Sequence, residues 1–197
     1  MGADLECHLS ADNLETKTVV DCVKAALSHG HCFEEDVALL VYGVDPAEPI
    51  TKLSAFEAAR FLAAPVDIEG QRLWIVRLEG KFADVPVRLA ISCSFPYRVI
   101  TLSVLEDMLW GYVSKAKIET RRLEAFFEVC REVAEIMQAR FGTVGTEHLH
   151  NDEVAVEVAE KNGCDVVDSA FFSKESMQEL CDWYDRVYRP VRSPITG

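Results

Sequence analysis

The sequence is short of most features that announce a chemistry. It has no G-x-x-x-x-G-K-[ST] phosphate loop and no G-x-G-x-x-G dinucleotide loop. It has no G-x-S-x-G elbow and no H-E-x-x-H metal helix. No run of about 18 apolar residues occurs, so no spanning helix and no membrane role are expected. The opening MGADLECHLSADN lacks a basic region and an apolar region, and it predicts no secretory signal. Its Met-Gly start carries Glu6 where a myristoylation motif wants Ser or Thr. No C-x-x-C pair exists among the seven cysteines at 7, 22, 32, 93, 130, 164 and 181. Their odd number and scatter predict free thiols in a reducing compartment, and hence a cytoplasmic location, rather than a disulfide framework.

Bases are also scarce. There are 20 against 33 acids, a net charge of -13. Residues 1–70 hold 13 acids and 4 bases, residues 71–145 hold 9 and 11, and residues 146–197 hold 11 and 5. Such a surface repels phosphate backbones, so direct nucleic-acid binding is not expected. It attracts a basic partner over long range, and it also keeps the chain soluble.

What is present describes a packed globular protein. Hydrophobic residues make up 49% and charged residues 27% of 197 residues, which predicts one α+β domain over 1–197. Leu5, Cys7 and Leu9 alternate with polar residues and predict a strand. Thr16 opens a helix with apolar positions Val19, Val20, Val23, Ala26 and Leu27, ended by Gly30. A second strand spans Val37 to Tyr42. Ser54 and Glu57 have capping-box spacing before a helix to about Ala63. Three alternating segments, Leu73–Glu79, Val85–Cys93 and Tyr97–Ser103, predict an antiparallel meander near 72–104. A long helix over 118–141, with Gly142 at its C-cap, presents Phe126, Phe127, Cys130, Val133, Met137 and Phe141 on one face. The expected sheet has about five strands, with this helix packed on it. Residues 146–197 predict a helical C-terminal extension whose last helix carries the stripe Met177, Leu180, Cys181, Tyr184 and Tyr188.

Three histidine clusters invite a chemical reading. His29, His31 and Cys32 flank a helix-ending glycine and are zinc-ligand types, but no second ligand pair accompanies them. His148 and His150 alternate in an extended segment near Asp152, a set able to hold a metal or to exchange protons. His8-Leu-Ser10 gives one His-x-Ser tripeptide where the two-histidine phosphoesterases use two, and that resemblance is rejected. Two acidic sets invite an interaction reading instead. These are Glu34, Glu35 and Asp36, and then Asp182 and Asp185 beside Trp183, an aromatic suited to stacking against arginine.

The preferred reading is therefore non-enzymatic: an acidic cytosolic protein that inhibits or neutralises a basic partner protein, as an immunity protein does, with no cofactor. The alternative is a small metal-dependent hydrolase using His148, His150 and Asp152. A homodimer built on an exposed helix face is compatible with both.

Overall fold

The computed structural model describes residues 4–105, 120–139 and 141–146. In chain order they form β1 (Asp4–Ser10), α1 (Thr16–Ser28), β2 (Cys32–Phe33), β3 (Leu39–Tyr42) and β4 (Pro49–Leu53). Then come α2 (Ala55–Ala63), β5 (Leu73–Phe82), β6 (Val85–Ser94), β7 (Val99–Leu105), α3 (Thr120–Met137) and β8 (Phe141–Thr146). The class is α+β, as expected.

The sheet is antiparallel and wider than the sequence suggests. Its order is β4-β3-β5-β6-β7-β1-β8, with β2 paired to β5 beside β3. The meander β5–β6–β7 forms its middle, as the alternation predicts. β2, β4 and β8 are the additions. β2 has only two residues, too few for any pattern to show. β4 is an edge strand that opens on Pro49, which reads as a break.

β8 corrects the long-helix expectation. α3 ends at Met137, and Gln138 takes a left-handed backbone (φ 52°) where a glycine was sought. The Ala139 amide reaches back to the Ala134 carbonyl at 2.9 Å and closes the end. Phe141 and Gly142 belong to a strand paired with β1, not to a helix and its cap.

The predicted segments Leu73–Glu79 and Val85–Cys93 leave Gly80 between strands. It lies inside β5, and the two-residue turn is Ala83–Asp84. A Cβ on Gly80 would lie 2.4 Å from Cδ2 of His31, so the strand needs glycine there for close approach.

All three helices lie on one face of the sheet. Val19, Val23 and Ala26 of α1, Ala58 and Leu62 of α2, and Phe126, Cys130 and Val133 of α3 share one buried cluster with alternate strand residues. Cys7 and Leu9, Trp74 and Leu78, Leu89 and Ile91, and Ile100 and Leu102 supply the sheet side. Period-2 strands meeting period-3.6 helices give this two-layer arrangement. The predicted C-terminal helices fall in 147–197 and lie outside the described residues, as does the rest of that segment.

Candidate partner-binding surface

Glu34, Glu35 and Asp36 occupy the connection from β2 to β3. The Glu34 amide donates to the Arg77 carbonyl at 3.1 Å and fixes the start of the turn. Its carboxylate is 3.7 Å from Nε of Arg88 and is only partly exposed. Glu35 and Asp36 are exposed. The Ala55 amide donates to the Glu35 carbonyl at 3.3 Å, tying the first turn of α2 to this acidic loop.

That tie brings in a residue the sequence reading missed. Phe56, next to Ala55, is 71% exposed. α2 buries Ala58 and Leu62, which leaves Phe56 on the outer face. The Arg60 guanidinium carbon sits 5.7 Å from the Phe56 ring centre, so one face of the ring already carries a guanidinium of the same helix. The missed signal was available: Phe56 falls off the stripe of Ala58 and Leu62.

The capping box forms as expected. The amide and hydroxyl of Ser54 both donate to Oε2 of Glu57, at 2.9 and 2.8 Å. These bonds to the charged form hold the Glu57 carboxyl below its ordinary value. The surface therefore combines the carboxylates of Glu35, Asp36 and Glu57 with an exposed aromatic ring. It can receive lysine or arginine side chains and bury apolar area beside them.

The structure separates the candidate zinc ligands at the end of α1. Nε2 of His29 meets Oε2 of Glu132 on α3 at 2.6 Å. His31 turns inward, 5% exposed, with Nδ1 donating to the Ala26 carbonyl at 3.2 Å and its ring edge-on to Phe82. Cys32 is exposed and lies on β2 opposite Glu79. Among the described residues no three His, Cys, Asp or Glu side chains gather as a metal-holding group.

His8 stands on the opposite face of the sheet from the helices. Its Nδ1 is 2.9 Å from Oγ1 of Thr101, and its Nε2 is 3.1 Å from Oε2 of Glu6. Both ring nitrogens therefore have a polar partner, which is what a buried histidine requires. His148, His150, Asp152, Asp182, Trp183 and Asp185 lie outside the described residues. Among the described residues no helix is long and apolar enough to cross a membrane.

No family model matches the chain, and no curated protein does. Among solved structures the chain is similar to the Pseudomonas aeruginosa T6SS protein PA0821, at 12% identity and a TM-score of 0.37. The match covers 74% of this chain and 42% of that one, so the chain spans less than half the length of that structure. Likeness at this level carries no functional argument.

Proposed function

We propose that the chain is an acidic binding protein that inhibits or neutralises a basic partner protein in the cytoplasm. The partner is engaged through Glu35 and Asp36, with Phe56 as the apolar anchor. The observation that carries this reading is the exposed Phe56 ring standing beside the acidic loop. Exposed aromatics are costly to leave in water, and they dominate binding energy where a partner buries them. The surrounding carboxylates raise the association rate of a basic partner. Asp182, Trp183 and Asp185 supply the same chemistry on the last predicted helix and are the proposed second half of the surface. Glu34 contributes less, because Arg88 already faces its carboxylate.

The test is a pull-down from native lysate, washed at low and then high salt, followed by kinetics on the captured protein. The expected partner is basic and is released by salt. The pair Glu35→Gln and Asp36→Asn slows association, and Phe56→Ala speeds dissociation by about 10-fold or more, the scale of an interface anchor. Capture unaffected by salt, or kinetics unchanged in both variants, removes this surface from the proposal.

A further inference from the structure

The three helices do not meet water alike. α1 turns Lys17 and Lys24 outward, and α3 turns Glu128, Arg131 and Glu135 outward. α2 turns Phe56, Ala59 and Ala63 outward, with Arg60 among them and Glu57 at the flank. Helical periodicity puts these residues on one side and the buried Ala58 and Leu62 on the other. Only Glu57 and Arg60 of the helix are polar. A helix that is apolar all round is normally buried, yet this one lies on the surface. Past the stop at Pro65 follows Val66, which is 64% exposed.

The relief of this face suits a second helix. Ala59 and Ala63, four residues apart, form a low row between the Phe56 ring and the end of the helix. Small side chains in such a row let the ridge of another helix approach closely. An extended segment would need a free strand edge for its backbone, and a helix offers none. From Phe56 to Val66 the face runs about 15 Å, or about three turns of a partner helix.

Charge at the two ends selects the occupant. Glu35 and Asp36 stand beside the first turn of α2, and Glu57 belongs to that turn. Beyond the last turn, the segment from Ala64 to Gln71 carries Asp67 and Glu69, both exposed, and no base. Glu15 and Lys17, which line one depression with Asp67, offset each other. The one base on the face itself, Arg60, lies over the Phe56 ring. A second copy of this chain does not fit. A two-fold axis sets the Glu35–Asp36 end against the Asp67–Glu69 end when the helices are antiparallel, and each end against itself when they are parallel. Both arrangements press like charges together, which costs affinity.

We infer that the outer face of α2, from Phe56 through Ala59 and Ala63 to Val66, docks a basic amphipathic helix of the partner protein. The inference rests on the proposed partner surface and gives it a shape. The apolar stripe of the incoming helix lies on the Ala59–Ala63 row, between Phe56 and Val66. Its lysines or arginines reach the acids at both ends. Burying the exposed apolar side chains supplies the energy, and the acidic ends fix the register.

The test titrates the full chain into a labelled, helix-stabilised peptide of about 18 residues, with leucine along one face and lysine elsewhere, and reads fluorescence anisotropy. Saturable binding is expected, tighter by about 10-fold or more than that of a scrambled peptide of the same composition. Ala63→Lys puts a bulky base on the low row and should weaken binding by about 10-fold. Ala59→Lys repeats the experiment if the first variant does not fold. Binding no tighter than that of the scrambled peptide, or binding unchanged in the folded lysine variant, overturns the inference. So does a dimer in sedimentation that Ala63→Lys breaks, which would assign the face to another copy. Capture of the natural partner that depends on Glu35, Asp36 and Phe56 but not on Ala63 removes the helical dock alone and leaves the partner surface standing.

Discussion

His31 takes its proton on Nδ1, because the Ala26 carbonyl beside that nitrogen can only accept. Nε2 is then a buried acceptor with no partner among the described residues. Burial is the main cause that lowers the pKa of this imidazole, opposed by the Ala26 bond and helped by His29. The unfolded chain titrates near the ordinary value of about 6.5, and the folded chain titrates below it. Between those values the unfolded state binds more protons, so stability rises with pH there. His31 thus favours the fold fully above about pH 6.5 and progressively less on acidification. Denaturant unfolding at about pH 7.5 and about pH 5.5 should show the fall, and His31→Leu should reduce it. An unchanged difference in the variant would assign the effect to other groups. The cysteines give a second prediction at this scale. Cys7, Cys22, Cys93 and Cys130 are buried, and Cys32 is exposed. Burial pushes the Cys22 thiol up to about 12, and burial beside Cys7 raises that of Cys130. Reaction follows the exposed thiolate. Among these five described cysteines, brief alkylation of the native protein should therefore label Cys32 and spare the four buried ones, as read by peptide mass spectrometry.

α2 is a nine-residue helix, short enough to depend on its cap and its two buried residues. The bonds from Ser54 to Glu57 fix where it starts, and so where Phe56 stands. Ser54→Ala should cost about 1 kcal/mol of stability, the usual scale of a lost N-cap. It should also weaken partner capture more than its stability change implies, because it frees the turn that holds Phe56. The Glu57 carboxyl has its pKa lowered by those bonds, so its contribution is present above its ordinary value and fades as pH falls through the folded one. Thermal melts across that acid range, with and without Ser54, measure it. At the other end of the chain, α1 has no acid in its first turn and no side-chain cap. The Thr16 hydroxyl donates to Asp67 at 2.5 Å, and Gln71 links Thr16 to the Trp74 indole. A carboxylate from 51 residues away stands where a local cap is missing.

At the scale of the molecule, the proposed recognition rests on charge. The net charge of -13 and a pI near 4.8 place it far from neutrality at pH 7. Solubility should be lowest near pH 4.8 and recover on either side, a turbidity measurement. Association with a basic partner should slow as salt rises from about 0.05 M to about 0.3 M, because screening shortens the reach of the field. A rate constant flat across that range would detach the overall charge from recognition.

The sequence by itself determined the class, the three-strand meander and the acidic character. Val87, Leu89, Ile91 and Cys93 alternate with Pro86, Arg88, Ala90 and Ser92, and burial follows that period. It also determined the capping box, whose partners lie three residues apart. Tertiary structure decided the rest, because the causes are far apart in the chain. β1 sits between β7 and β8, which no local pattern encodes. Gly80 lies in a strand because His31 fills the space beside it. Gln138 ends α3 because the next strand must reach β1. A backbone bond joins Glu35 to Ala55 and sets Phe56 beside the acidic loop, a juxtaposition across 20 residues that no local pattern encodes.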